Sequence, residues 1–600
     1  MPIYQAPIRD FQFVLNDYLD IEQYKDQLKS FSDIDAMLID SFLAEGSKFC
    51  QEVLFPLNQT GDTQGCQFNN GDVKLPDGFV NAYSQYIQSG WTAFSCDPEY
   101  GGQGLPEVVN MPVIEMICSA NFSFGVLPGL SHGAYNAIHK HGSEELKQIY
   151  LPKIIDGKWS GVMCLTEPHC GTDLGLINTK ATPVADADNQ YHINGTKIFI
   201  SFGEHDATEN IIHLVLAKLP DAPAGVKGIS LFLVPKILVD QDGNLGEANK
   251  VSCGSIEHKM GIHGSPTCVM NYDNAIGYLV GEPHKGLRAM FTMMNEARLF
   301  VGVQGSGIAE VAYQNAVSYT KERLQGRSLS GVKHPDKPAD PLIEQPDVRL
   351  NLMKMKAFCE GARVLECVTA LKLDIIKHHN DPKVRQDADD YLQLVTPIIK
   401  AYYTDMGVEC ANMALQMYGG HGYIKEWGME QYLRDARIAP IYEGANAIQA
   451  LDLVGRKLSK YTGRYLRHFF HPAQEFVAEH RDNPDMQDYT KPLHLAIKNL
   501  QNASMWIAIN SISNKENGAA VSVDYLRMFA LAILADIWAR TALICLEKLS
   551  DENESDKEFY QAKLQTANFF MKKILPEHYS LLATITEGAA PIMAMDSEMF

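Results

Sequence analysis

The hydrophobic pattern of this 600-residue chain changes its period twice. Up to about residue 155, apolar residues recur at helical spacing, with turn residues at 69–72 and 98–104. From about 158 to 285, short alternating runs bounded by Gly, Asp, Asn and Pro predict β-strands, most clearly at 191–200 and 228–235. The helical period then returns. This order of helices, strands and helices opposes Rossmann and TIM-barrel folds, in which strands and helices alternate.

The length of the chain predicts several domains, because one domain usually takes about 100–200 residues. We predict a helical N-terminal domain, a β-domain, a helical bundle and a further helical domain, over 1–157, 158–285, 286–461 and 462–600. A loop containing Pro and Gly should interrupt the bundle at 325–346. The last block has candidate helices at 486–512, 522–550 and 556–575.

Composition and charge limit the function classes. The formal net charge is −21, since 52 Lys and Arg face 73 Asp and Glu. A nucleic-acid-binding face is therefore not expected, although a local basic patch could hold a phosphate-bearing ligand. The 12 cysteines form no CxxC pair, and no basic and apolar leader opens the chain. The most apolar stretch, 521–546, contains four charged residues, which predicts a buried or amphipathic helix and no transmembrane segment. We expect a soluble cytoplasmic protein.

Several common motifs are absent or explained by packing. Gly302, Gly305 and Gly307 suggest a phosphate loop, but they lie in a helical pattern without a preceding strand, which favours close helix packing. Cys164, His169 and Cys170 do not make a four-ligand zinc set, so no metal site is expected. The sequence has no HExxH, GxxxxGK[ST] or GxSxG motif.

Two segments are much more specific. One is Met-Cys-Leu-Thr-Glu-Pro-His-Cys-Gly-Thr-Asp at 163–173, and the other is Gln-Met-Tyr-Gly-Gly-His-Gly-Tyr at 416–423, followed by Ile-Tyr-Glu-Gly at 441–444. Together they resemble the two signature regions of the acyl-CoA dehydrogenase family, over roughly residues 40 to 460. The resemblance implies a mainly α fold with a central β-domain: an N-terminal helical domain, a β-barrel-like middle domain and a four-helix bundle. The block 462–600 resembles the extra helical domain of longer bacterial members.

The resemblance also implies FAD as the cofactor. Residues of the first motif and of the strand at 197–201 would hold the flavin and its pyrophosphate, namely Met163, Leu165, Thr166, Gly171, Thr172, Phe199 and Ser201. The neighbouring subunit of a homodimer would complete the site at the diphosphate, through Arg323, Gln325, Gln416 and Gly420. The sequence departs from the family pattern at Phe199, Cys170, Gln431, Ala445 and Ala447. Each departure costs about one hydrogen bond, ~0.5–1.5 kcal/mol.

Glu443 resembles the family's catalytic base. It would take the α-proton of an acyl-CoA substrate while the β-hydrogen leaves as hydride to the flavin, giving trans-2-enoyl-CoA, and an electron-transferring flavoprotein would take up the electrons. Apolar neighbours should raise the pKa of the base by desolvation. We expect Asn446 to cap a helix over 447–460, with Glu443 just outside its start. Substrate contacts are implied at Thr172, Ser265, Arg298, Tyr442 and Gly444.

Alternatives remain open for the reaction and the substrate. An acyl-CoA oxidase has the same fold and base but passes electrons to oxygen; a C-terminus other than Ser-Lys-Leu favours the dehydrogenase. A non-catalytic scaffold is opposed by the retention of Glu443 and Thr166. Among substrates we expect straight saturated acyl-CoA thioesters of fatty acid β-oxidation, of medium to long chain, with the short thioether 3-methylmercaptopropionyl-CoA as the alternative.

Overall fold

The N-terminal part of the chain is helical. The structure is a computed structural model and describes residues 2–600. The helices are α1 (Ile8–Gln12), α2 (Ala36–Phe49), α3 (Phe55–Gln64), α4 (Phe79–Gln88), α5 (Glu107–Ala120), α6 (Phe122–His141) and α7 (Glu144–Ile155). A small hairpin of β1 (Gln67–Asn69) and β2 (Asp72–Lys74) turns at Asn70 and Gly71, which both have positive φ. The turn residues in the sequence thus mark a hairpin inside the helical region.

The middle of the chain forms the predicted β-domain. Its strands are β3 (Trp159–Cys164), β4 (Lys180–Pro183), β5 (Gln190–Ser201), β6 (Asn210–Lys218), β7 (Ile229–Pro235), β8 (Ile237–Val239), β9 (Leu245–Ala248), β10 (Val251–Ile256) and β11 (Thr267–Val280). The pairing runs from β11 to β5, β4, β6 and β7 and back to β11, so these strands close a ring. The barrel-like middle domain is therefore confirmed, and β3 joins it in parallel to β6.

The bundle follows as α8 (Gly286–Glu322), α9 (Pro346–His378), α10 (Pro382–Met417), α11 (Met429–Ala436) and α12 (Asn446–Asp452). The glycines of α8 serve close packing, as predicted. A Cβ added at Gly302 would lie 2.4 Å from a side-chain carbon of Ile399, and one at Gly305 would lie 2.4 Å from the Tyr403 carbonyl oxygen. The loop between α8 and α9 lies where the sequence predicts an interruption of the bundle, at 325–346.

The C-terminal block consists of α13 (Arg464–His480), α14 (Gln487–Ser513), α15 (Lys515–Ala520), α16 (Ser522–Ser550), α17 (Lys557–Phe569), α18 (Glu577–Glu587) and α19 (Ala590–Met593). The three predicted helices are α14, α16 and α17, whereas α13, α15, α18 and α19 were not predicted. Among the described residues, α16 is the one helix long and apolar enough to cross a membrane, and 72% of its most apolar 18-residue stretch is buried inside the protein. The prediction of a buried helix is confirmed.

The contacts divide the chain into two compact units. One combines the chain up to Ser47 with Glu107–Ser119 and Val301–Phe600, and the other combines Lys48–Pro106 with Ala120–Phe300. In the first unit the C-terminal block packs on the bundle: Trp538 Nε1 donates to the Ala357 carbonyl at 3.2 Å. The second unit has its core between the strands and α6 and α7, around Trp159 and Leu231. The four-domain division stays a prediction.

Candidate functional site

The loop after β3 carries the first signature motif, in the second unit. The Thr166 carbonyl accepts a hydrogen bond from the Ile198 N–H on β5 at 2.9 Å. The neighbouring Leu165 carbonyl accepts one from Lys197 Nζ, also at 2.9 Å. The loop at Leu165 and Thr166 is therefore fixed against β5, the strand that carries Phe199 and Ser201.

A buried ion pair lies next to this loop. Lys197 Nζ lies 2.8 Å from Glu167 Oε1, and both side chains are almost completely buried. Burial acts to raise the pKa of Glu167, but the Lys197 ammonium and hydrogen bonds from Thr179 and Asn178 outweigh it and lower that pKa. Glu167 is thus held as a carboxylate in the interior.

Phe199 is presented outward by an irregularity in β5. The register of β5 against β11 shifts between Cys268 and Met270, opposite this residue. Phe199 has a φ of 58°, in the left-handed region, and its side chain is 59% exposed. A large aromatic ring in this backbone conformation and in contact with water is unfavourable unless something covers it.

The other residues of the second unit that are predicted to contact the flavin or the substrate differ in how exposed they are to solvent. Gly171 and Thr172 are exposed, Ser201 is half-buried, and the Met163 side chain is buried. Ser265 is fully buried, and its hydroxyl has no hydrogen-bond partner among the described residues, so its side chain does not reach the surface. Arg298 is half-buried on α8 and donates to Asn295 Oδ1 at 3.3 Å.

Glu443 lies in a short loop before α12, in the first unit. Its φ is 55° and that of Gly444 is 85°, so two successive residues take the left-handed conformation. The hydroxyl of Tyr442 donates to Gln304 Oε1. Burial first, and then the nearby charge of Glu443, raises the pKa of Tyr442 well above its ordinary value, so the phenol stays protonated and remains a donor.

Asn446 does not cap the helix after this loop, contrary to our prediction. The helix begins at Asn446 itself, and its N-cap residue is Ala445, which supplies no side-chain cap. The Asn446 amide instead donates to the Ala401 carbonyl at 3.0 Å and to Asp405 Oδ1 at 2.7 Å, and it accepts from Lys400 Nζ at 2.8 Å. These partners on α10 compete with the helix end for the side chain, and they fix α12 to the bundle. The regular helix is also shorter than predicted, because a π-helical turn follows at Leu453–Lys457.

The residues predicted to reach a neighbouring subunit gather on one exposed region of the first unit. Arg323 and Gln325 follow the end of α8, and Gln416 and Gly420 lie at the end of α10; all four are exposed. Aromatic contacts join these two ends: the rings of Tyr319 and Tyr418 stack with centroids 4.0 Å apart, and Tyr319 Oη lies 2.9 Å from His421 Nδ1.

Comparison with known proteins identifies the family. Models described as acyl-CoA dehydrogenase N-terminal, middle and C-terminal domains match residues 40–158, 162–275 and 284–458, and one described as acetyl-CoA dehydrogenase C-terminal like matches 469–596. The chain belongs to the acyl-CoA dehydrogenase family. It is an oxidoreductase that acts on a CH–CH bond, and its cofactor is FAD.

Relatives in this family match nearly the whole chain. It is 42% identical to a 3-methylmercaptopropionyl-CoA dehydrogenase of Ruegeria pomeroyi, over 97% of this chain and 98% of the relative. It is 34% identical to a butyryl-CoA dehydrogenase of Syntrophomonas wolfei, over 100% of this chain and 99% of the relative. A solved acyl-CoA dehydrogenase of Bacillus anthracis, complexed with FAD, has the same fold, with a TM-score of 0.70 at 21% identity over 94% of this chain and 93% of that one.

The second unit fits the flavin of this family. Phe199 offers an exposed aromatic surface, and the half-buried Thr166 on the neighbouring loop carries a hydroxyl group. A flat heteroaromatic ring with polar edges needs both an apolar face and free donors. The exposed Gly171 and Thr172 could face its phosphates, since glycine allows close approach of the backbone.

Sequence reasoning missed three residues that contact the loops of the predicted site. Glu167 and Lys197 fix the Thr166 loop, and the Gln449 amide contacts the Glu443 loop. Lys197 had a signal in the sequence, because it is a single charge in a strand that enters the barrel wall. The role of Gln449 had no such signal, since it depends on how the loop turns.

One cluster in the first motif has the residue types of a metal site. Potential ligand atoms of Glu167, His169 and Cys170 lie within 4.8 Å of one another. The Glu167 carboxylate is already bonded by Lys197, Thr179 and Asn178, however, and burial raises the pKa of the Cys170 thiol. The Glu167 carboxylate is therefore satisfied by protein groups, and the Cys170 thiol is held protonated, which disfavours metal binding at this cluster.

Proposed function

We propose that this protein catalyses the FAD-dependent α,β-dehydrogenation of a saturated acyl-CoA thioester to the trans-2-enoyl-CoA. The supporting observation is Glu443, a carboxylate held in a left-handed loop at the family's base position. Left-handed backbone at a residue other than glycine costs free energy and is typical of functional sites. Dehydrogenation next to a thioester requires such a positioned proton acceptor.

Individual residues of the chain have distinct roles in the proposed reaction. Glu443 takes the proton from the α-carbon, and its backbone N–H donates to the thioester oxygen, which stabilises the charge that develops there. Thr166 and Phe199 hold and cover the flavin ring, and FAD supplies the acceptor for the β-hydride. The removal of one proton and one hydride leaves the carbon–carbon double bond. Tyr442 and Gly444 flank the base in the chain, and the resemblance to the family implies that Arg298 contacts the substrate.

The substrate remains a choice between two classes. The sequence favours straight acyl chains of medium to long length, as in fatty acid β-oxidation. The relative at 42% identity is named for a short thioether, which makes 3-methylmercaptopropionyl-CoA the second candidate. Each additional buried CH₂ contributes about 0.8 kcal/mol of binding, so the two classes differ in their chain-length profile.

A chain-length series tests the reaction and the substrate together. Anaerobic addition of acyl-CoA thioesters to the FAD-bound protein should bleach the oxidised-flavin absorption, and kcat/KM should rise with chain length beyond the thioether. A profile that peaks at the thioether and falls beyond about six carbons would reverse the substrate proposal. No bleaching with any acyl-CoA would refute the proposed reaction.

The electron acceptor is the second part of the proposal. We expect reduced protein to pass its electrons to an electron-transferring flavoprotein, in the cytoplasm. Reoxidation is measured with such a flavoprotein and with oxygen alone. Stoichiometric peroxide in air, at a rate equal to turnover, would identify an acyl-CoA oxidase instead.

A further inference from the structure

The buried side-chain amide of Gln449 donates to two backbone carbonyls of the Glu443 loop. Gln449 Nε2 donates to the carbonyl of Glu443 at 3.2 Å and to that of Gly444 at 3.1 Å. Gln449 lies on α12 and is 1% exposed. The carbonyls of Glu443 and Gly444, which lie before α12, thus both accept from the side-chain nitrogen of a residue within α12.

The orientation of this amide is set by its partners. Both carbonyls accept only, so the nitrogen of the amide must face them. Gln449 Oε1 then points elsewhere, and it is buried without a hydrogen-bond partner among the described residues. An unsatisfied buried oxygen destabilises the protein. The stabilising contribution of the Gln449 side-chain amide therefore comes from the two hydrogen bonds that its nitrogen donates to the loop.

The loop needs such a restraint. Glu443 has a Cβ and a φ of 55°, so it would relax toward the right-handed or extended region if its carbonyl were released. Relaxation would redirect both the Cα–Cβ bond of Glu443 and its N–H. Tyr442 and Asn446 are anchored on either side, through Gln304 and through α10, and the Asn446 N–H closes the loop by donating to the Pro440 carbonyl at 3.0 Å. Gln449 contacts the carbonyl of Glu443 itself.

We infer that Gln449 is a positioning residue for the base, which holds Glu443 in its left-handed conformation through the carbonyls of Glu443 and Gly444. This inference rests on the proposed role of Glu443. A misplaced base loses much of its rate advantage, because proton transfer depends steeply on distance and angle.

The test compares Gln449→Met with the wild type, both with FAD bound. Methionine keeps an unbranched chain of similar length and removes the donor. We expect kcat to fall about 10- to 100-fold, with unchanged flavin content and less than about threefold change in acyl-CoA binding. Hydrogen exchange should accelerate in the peptide covering 438–447. Gln314→Met is the matched control, since Gln314 also donates to a backbone carbonyl, that of Gln5, at 2.7 Å.

A double variant separates positioning from general damage. If Gln449 acts through the Glu443 carboxylate, Glu443→Gln combined with Gln449→Met should be about as slow as Glu443→Gln alone. Losses that multiply would overturn the inference, as would wild-type kcat or unchanged loop exchange in Gln449→Met. If Glu443→Gln remains active, the base proposal fails, and loop exchange by itself then decides whether Gln449 holds the loop.

Discussion

At the scale of single residues, the side chain of Glu443 and the backbone that presents it have separate roles. The carboxylate is the proposed proton acceptor, whereas its peptide group is held by Gln449 and lies next to the glycine at 444. A substitution that changes the carboxylate alone should therefore leave the loop, the flavin site and the binding of acyl-CoA intact.

The first prediction follows from this separation. Glu443→Gln should bind FAD and acyl-CoA as the wild type does and lose at least about 100-fold in kcat, because an amide cannot accept the α-proton. Stopped-flow reduction of the flavin by acyl-CoA measures the loss. A variant that keeps more than about a tenth of kcat would show that another group is the base.

At the scale of elements, the N-terminus of α5 is capped by a carboxyl group from α9. The N–H groups of Glu107 and Val108 donate to the two oxygens of Asp374 at 2.8 and 3.0 Å. A helix leaves its first N–H groups without partners inside the helix, so this distant side chain completes α5. Burial, and then the charge of Glu107, raises the pKa of Asp374 to about 8 from 3.8.

This shift makes stability depend on pH in a known direction. Between pH 4 and 8 the folded protein holds a proton on Asp374 that the unfolded chain has released, so the stability contributed by this group falls as pH rises through that range, by up to ~1.4 kcal/mol per pH unit. Asp374→Asn cannot titrate. The Tm of the wild type should therefore decline toward that of Asp374→Asn between pH 6 and 8. Asp551→Asn, which removes an exposed carboxylate, is the control; a constant difference in Tm for Asp374→Asn would refute the prediction.

At the scale of the whole molecule, the C-terminal block distinguishes this chain from shorter, tetrameric family members, as the resemblance implies. We predict a homodimer in which Arg323 and Gln416 of one subunit bind the flavin of the other. The exposed region that carries them also exposes Tyr423, by 82%, and Ile424, by 47%. Such apolar side chains favour an interface.

Light scattering and flavin content test this assembly. The protein with FAD bound should have the mass of two chains, and Arg323→Ala should lose flavin more readily on dilution while Glu443→Gln does not. A monomer or tetramer would contradict the prediction of a dimer. A dimer whose flavin affinity is insensitive to Arg323→Ala would remove this residue from the site.

The periodicity of the sequence determined the order of structural classes and the helices α14, α16 and α17, because such local patterns do not depend on distant partners. The resemblance of two short motifs to the family implied the closed β-domain and the cofactor. The tertiary structure decided what depends on distant contacts. Asn446 bonds α10 instead of capping α12, because Ala401 and Asp405 lie beside it. Gln449 reaches back to the Glu443 loop, and Lys197 pairs with Glu167, because folding brings together groups whose separation along the chain carries no signal.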